Sequence, residues 1–257
     1  MTTPEADVDG EVDSFGLSPG EYEESTDDET IRWRSKPFQY PKLNLDGPAF
    51  RLLRLRKGTG LHISCRLFKT WLDLKDRFGR DRQISYEALS YTWGGPEFFR
   101  FIEVNGQRLR ITKNLYSALH HLRLPDRDRI IWADAVCIDQ QNLAERGHQV
   151  AIMTRIYKQA DGVIFWLDES SEDTDAVFRA LGELRSQGEP KGCRDWQYHD
   201  SRWLSLWASI SENIDSREAI YHGMRILMGR QWFRRAWILQ EVANARAALV
   251  CCGRNSV

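Results

Sequence analysis

The sequence predicts an α/β fold: a mainly parallel sheet with helices on both faces, and extra β-hairpins toward its N-terminal side. Three observations predict it. IIWADAVCI (Ile130 to Ile138) and VIFWL (Val163 to Leu167) are short apolar runs without alternation, as expected of strands covered on both faces. Between them Asn142 stands three positions before Glu145, a capped helix start, and Leu143, Val150, Met153, Tyr157 and Ala160 recur at helical spacing as far as Gly162. Two parallel strands cannot be joined by a tight turn, so the helix between them is read as the crossover of a central strand-helix-strand unit.

Along the chain, residues 1–30 hold eleven Asp and Glu, no Lys or Arg, and few large apolar groups. Such a segment cannot offset its chain entropy by burial, so a disordered acidic tail is expected. It reads either as an arm that shields the body or recruits a partner, or as a solubilising extension. Residues 31–48 form a linker, and 49–257 the folded domain. FRLLRL (Phe50 to Leu55) and LHISCRLF (Leu61 to Phe68) predict a hairpin with one buried face, edging the sheet. ISYEALSYTW (Ile84 to Trp93) predicts a strand entering a tight Gly94-Gly95-Pro96 loop. A second hairpin turns at Asn105-Gly106, and Asn114 is expected to cap a helix ending near Leu124. Two helices, Thr174 to Ser186 and Ser216 to Met228, are read after Leu167, around a stretch holding Trp196, Trp203 and Trp207. A single helix from Arg230 to Ala245 and a strand over AALVCC (Ala247 to Cys252) complete the reading.

Composition bounds the function. The 257 residues are 42% hydrophobic with a net charge of -1, from 37 acids and 36 bases. Without the eleven acids of residues 1–30 the remainder has 26 acids against 36 bases, about +10. Its arginines are dispersed, so nucleic-acid binding is not expected. The five cysteines form no CxxC pair and the six histidines have no metal-ligand spacing, so neither a disulfide framework nor a metal is expected. No signal-peptide pattern and no membrane-length apolar run is seen, which predicts a cytoplasmic protein.

Three blocks together resemble the fungal heterokaryon-incompatibility (HET) domain: YEALSYTWGG (Tyr86 to Gly95), IIWADAVCIDQQNLAERGHQVAIMTRIYKQADGVIFWLDE (Ile130 to Glu169) and WFRRAWILQEVANA (Trp232 to Ala245). That domain in turn is similar to the Toll/interleukin-1 receptor (TIR) class, which implies a flavodoxin-like parallel sheet. Two departures stand out, a hairpin inserted after the first strand of that sheet and nothing after its fourth. The resemblance implies a role in self/non-self recognition and programmed cell death, an innate-immunity function. It also implies cleavage of NAD at the nicotinamide-ribose bond, with NAD as substrate and no resident cofactor. Self-association or another incompatibility protein is the implied partner.

Ligands of doubly wound sheets bind beyond the carboxyl ends of the strands. Here three loops are expected at that edge, beginning at Thr92, Asp139 and Asp168. Trp237 and Glu241, four apart, would share a face of the last helix. In TIR domains that cleave NAD a Trp-x-x-x-Glu supplies the required carboxylate, so the resemblance assigns catalysis to Glu241. The chemistry is intelligible: a carboxylate stabilises the oxocarbenium-like ribose and an indole can stack on the cationic nicotinamide. Trp237, Tyr91, Trp93, Gly94 and Asp134 are candidate substrate-binding residues. Each has a structural alternative: core contacts for Trp237, an ion pair with Arg234 or Arg235 for Glu241, and a tight turn over an aromatic core for Tyr91, Trp93 and Gly94. Asp134, read as lying inside an apolar strand, must be paired, protonated or at an opening. Glu145 has a sufficient role as a capping partner. Cys137 with His148 and Asp139 has the composition of a cysteine hydrolase, but Cys137 belongs to a buried strand. The competing function is a non-catalytic signalling module that works by homotypic assembly. Glu241 separates the two: an enzyme predicts an open pocket around it, an adaptor a salt bridge or dry core.

Overall fold

The computed structural model describes residues 37–73, 84–95, 99–197, 199–211 and 217–257. The acidic tail and residues 31–36 of the 31–48 linker therefore lie outside the described residues. Among the described residues nine strands form one mixed sheet: β1 (Ala49–Leu55), β2 (Ser64–Trp71), β3 (Glu87–Tyr91), β4 (Phe99–Val104), β5 (Gln107–Thr112), β6 (Arg129–Trp132), β7 (Gly162–Trp166), β8 (Ala248–Cys252) and β9 (Asn255–Ser256), in the order β5-β4-β2-β1-β6-β3-β7-β8-β9. The segment β6-β3-β7-β8 is parallel throughout. The pairs β1-β2, β1-β6, β4-β5 and β8-β9 are antiparallel and β2-β4 is parallel over a short stretch. The expectation of a mainly parallel sheet is thus corrected: the sheet is mixed, because the hairpins extend it rather than decorate it.

The first hairpin also lies elsewhere than expected. β1 pairs with β6 on its other side and is buried on both faces over most of its length, so it is an interior strand that joins the parallel half to the outer hairpin. The second hairpin is as read, with Asn105 and Gly106 at φ 54° and 77°, the positive values that a two-residue turn between twisted strands requires.

The described residues also form seven α-helices: α1 (Lys113–Leu122), α2 (Asp134–Cys137), α3 (Leu143–Gln159), α4 (Glu172–Gly188), α5 (Arg202–Ser211), α6 (Arg217–Gly229) and α7 (Ile238–Ala243). α1 is capped by the Thr112 hydroxyl, not by Asn114. Asn114 instead donates to Thr92 O (2.6 Å) and accepts from Trp166 Nε1 (2.8 Å), tying the loop after β3 to β7. α3 begins at Asn142 as expected, and of the predicted inward face Met153, Tyr157 and Ala160 are buried, but its first two turns differ. Leu143 and Val150 are exposed, while Glu145, Gln149, Met153, Ile156 and Tyr157 are buried.

The buried polar pair on α3 is matched by Arg51 of β1. Arg51 donates to both oxygens of Glu145 (2.5 and 2.9 Å), to Cys137 O (3.2 Å) and to Pro41 O (2.6 Å). Glu145 also accepts the Asp139 N–H (2.7 Å), and Gln149 donates to Ala49 O (2.8 Å). Glu145 is therefore the capped residue through its backbone N–H, which Asn142 Oδ1 accepts (3.1 Å), while its carboxylate anchors α3 to β1.

Candidate functional site

The strand predicted from Ile130 to Ile138 ends at Trp132, and Asp134 opens the one-turn helix α2 beyond it. The expectation of a carboxylate inside a strand is corrected. The apolar run continued through the turn because Val136 and Cys137 are buried as well, so hydrophobicity alone could not mark the strand end. Asp134 accepts from its neighbour Ala135 N (2.8 Å) and from the indole of Trp93 (3.0 Å). Its carboxyl is pushed up from the usual carboxylate range, chiefly by burial, and partly held down by the Trp93 hydrogen bond. The Tyr91 hydroxyl beside it is buried and makes no hydrogen bond, and burial and Asp134 push its pKa well up.

The predicted last helix is broken. A single 3-10 turn, Gln231–Arg234, is followed by extended backbone at Arg235, and α7 starts only after Trp237. The break has a physical reason. Residues six apart on one helix are turned about 240° from each other, yet Arg235 donates to both oxygens of Glu241 (2.8 and 3.0 Å). The break lies before Trp237, so Trp237 and Glu241 remain one helical turn apart, with Glu241 N–H bonded to Trp237 O (3.2 Å), but Trp237 is 48% exposed and Glu241 1%.

Glu241 points at the end of β3. Its carboxylate accepts a short hydrogen bond from the Ser90 hydroxyl, which in turn accepts from Trp232 Nε1 (2.8 Å) and Arg235 (3.2 Å). The buried Tyr157 hydroxyl feels both Glu241 and Asp134, which add to burial in raising its pKa. Ser90, Tyr157, Trp232 and Arg235 were not among the residues singled out from sequence. Of these Arg235 had been named as a possible structural partner of Glu241, and it is that partner; Tyr157 had been named only for its helical spacing and Trp232 only as the start of a motif.

Four predicted residues, Glu241, Tyr91, Trp93 and Asp134, thus converge on the carboxyl edge where β6, β3 and β7 adjoin. Trp237 stays outside the cluster. Gly94 follows Trp93 with φ 81°, a left-handed conformation that satisfies the tight-turn reading. The Asp168-Glu169 loop is closed by Arg230, which donates to Leu167 O and to Glu169 O (2.7 Å for the latter). Cys137 is fully buried with its thiol pushed up to about 12 by desolvation, and His148 hydrogen-bonds to Gly47 O and Gln149, so these residues do not form a nucleophile and base. A groove of about 660 Å³ lies at the opposite, amino edge, lined by Ser85, Glu87, Arg129 and Asp161, and shares no residue with this cluster. Among the described residues no helix is long and apolar enough to cross a membrane, and no group of three or more His, Cys, Asp or Glu is placed to hold a metal.

A mixed α/β domain with a buried Arg-Glu-Ser cluster at its strand ends is the class these observations define. Comparison with known proteins makes it particular. The profile of the heterokaryon incompatibility protein family (HET) matches residues 86–241, and the chain belongs to that family. It is 32% identical over 198 residues to heterokaryon incompatibility protein 6, OR allele, of Neurospora crassa, an alignment covering 66% of this chain and 29% of the relative. The chain therefore spans less than a third of the length of that protein. No solved structure gives a significant match.

Proposed function

We propose that this chain acts in self/non-self recognition leading to programmed cell death, as a TIR-like signalling module that works by assembly with a second copy or with another incompatibility protein. The family supports the recognition role. The order of the four parallel strands, second-first-third-fourth along the chain, supports the TIR-like relation, since it is one of the common doubly wound orders. One observation carries the choice of assembly over catalysis: Glu241 is 1% exposed, with its oxygens engaged by Arg235 and Ser90. A carboxylate that must meet an oxocarbenium-like ribose needs an approach to it. Exposed Leu143 and Val150 on α3, and Leu239 and Val242 on the neighbouring α7, offer apolar area for association.

The second reading, NAD hydrolysis at the nicotinamide-ribose bond, is favoured by the Tyr91 hydroxyl, buried and unpartnered beside Asp134 and Trp93 at the same strand ends. In that reading Arg235 leaves Glu241 when substrate phosphates draw it away, and the freed carboxylate stabilises the ribose cation. The test is purified chain incubated with NAD over a range of protein concentrations, with free nicotinamide and oligomeric state both measured. Assembly without nicotinamide is expected. Nicotinamide release that disappears in Glu241→Gln would overturn the assembly reading in favour of hydrolysis.

A further inference from the structure

The outer face of the first hairpin is a concentration of cations. Arg54 and Arg66 are direct cross-strand partners in the β1-β2 register, and both are exposed. Like charges directly opposite destabilise a strand pair. Arg56 shares this face two positions after Arg54, as strand alternation requires. Arg54, Arg56, Lys57 and Arg66 line a groove of about 360 Å³, and Arg56, Arg66 and Lys69 line an adjoining one of about 570 Å³.

Very little negative charge answers them. Among the described residues two carboxylates reach the grooves: Asp128 accepts the backbone N–H of Lys57 (3.0 Å), and Glu103 pairs with His62 (3.1 Å). Arg54 reaches the Phe68 ring at 5.9 Å, and among the described residues none of these five cations has a carboxylate partner.

We propose that the acidic segment, residues 1–30 of this same chain, docks on this groove and masks it. Three observations commit the site to that occupant. The segment carries eleven carboxylates and no base, so its charge is complementary. The described chain begins at Pro37, bridged to Arg108 of β5, and Phe38 N–H donates to Arg108 O (3.1 Å). It then runs to Pro41, which itself lines the larger groove. The tether thus enters beside its binding surface. Three strand spacings, about 14 Å, separate β5 from β1, while ten extended residues span about 33 Å. A tether of this kind gives a local concentration on the order of millimolar, which lets weak, screened ion pairs hold the segment in place. Masking goes beyond the assembly reading: it makes the basic face available only when a stronger polyanion, or high salt, removes the segment.

The test uses the full chain. A zero-length carbodiimide reagent joins a carboxylate to a lysine amine in contact with it, and mass spectrometry maps the products. Cross-links from residues 21–29 are expected at Lys57 and Lys69, with few at Lys158 and Lys191. They are expected to fall about fivefold between 0.05 M and 0.5 M salt, since the screening length shortens to a few ångströms. The same fall is expected in Arg54→Gln with Arg66→Gln, and more fully in Arg54→Glu with Arg66→Glu. The milder pair keeps the result readable if charge reversal impairs folding. Mixing isotope-labelled with unlabelled chain separates cross-links within one chain from those between chains. Cross-links spread evenly over surface lysines, unaffected by the arginine substitutions, or found mainly between chains, each overturn the proposal.

Discussion

Among the described residues two arginine-glutamate pairs have a buried carboxylate, and they are built to different ends. Arg51 and Glu145 are 0% and 3% exposed, and outside the pair itself their hydrogen bonds run to backbone of α2, of the loop before α3 and of Pro41 in the segment before β1, with the Tyr40 ring 5.2 Å from the guanidinium. Arg235 and Glu241 are 20% and 1% exposed, and their neighbours are side chains: Ser90, Trp232 and, nearby, Asp134 and Tyr157. The first pair is held chiefly by backbone groups, with Arg51 Nε left without a partner. The second is held by groups that can rotate, and its arginine keeps an open side to water. Burial of a charge pair is weak grounds for stability or for function; what surrounds the pair decides which it serves.

The largest effect separating the two comes from Glu145→Ala. It leaves the Arg51 guanidinium charged, dry and unpaired, which costs about 3 to 5 kcal/mol, and denaturant unfolding is expected to show most of it. A loss below about 1 kcal/mol would mean that water reaches Arg51 and that the contrast between the pairs is false. Glu241→Gln is the next largest. Arg235 can turn its open side to water and Ser90 keeps an acceptor, so a cost of about 1 to 3 kcal/mol is expected. Equal losses at the two sites would erase the distinction.

How much of this was legible in the sequence follows from what each residue's neighbours are. The crossover unit, the Asn105-Gly106 turn, the Asn142 cap and strands β3, β7 and β8 rest on local signals, and the structure places them within a few residues. The failures are tertiary. The place of β1 in the middle of the sheet depends on its pairing with β6, which no local pattern encodes. The inward face of α3 was misread in its first two turns because periodicity counts apolar residues, whereas Glu145 and Gln149 are buried by partners about a hundred positions away. The last helix was read as unbroken because Arg230 to Ala245 lacks an internal Gly or Pro; the break follows from Arg235 reaching Glu241 and Trp232 reaching Ser90. Glu241, Asp134, Tyr91 and Trp93 were found as a set because the family motifs hold them. Ser90, which links Glu241 to β3, carries no signal of its own.

A smaller effect sharpens the site through pH. Burial raises the Asp134 carboxyl above its ordinary value of 3.8. An acid with a raised folded-state pKa favours its protonated form in the fold. Its contribution is therefore complete below 3.8 and lost as pH rises through the folded value. Asp134→Asn carries no such titration, so its stability relative to the parent is expected to rise between pH 4 and 7, whatever constant offset the amide adds. Unfolding midpoints for both proteins across that range give the difference directly. Parallel profiles would show that Asp134 is ionised and solvated as an ordinary surface carboxylate, and would detach it from the Glu241 cluster.

The smallest expected effect on stability is at Trp237. Its indole is 48% exposed and stands at the residue before α7, where it makes no side-chain hydrogen bond to cap the helix. Replacing it with Ala removes apolar contact on one side only, so a change within about 0.5 kcal/mol is expected, as for a surface position. Its value lies in the second measurement. If Trp237 belongs to an association surface with Leu239 and Val242, Trp237→Ala weakens self-association, read by sedimentation over a concentration series, while the monomer unfolds at the parent midpoint. If the indole instead stacks on a nicotinamide, association is untouched and any NAD turnover falls, with part of the loss appearing as a raised KM because stacking also holds the ground state. A large drop in the unfolding midpoint with no change in either property would show that Trp237 packs as core, and that neither functional reading can claim it.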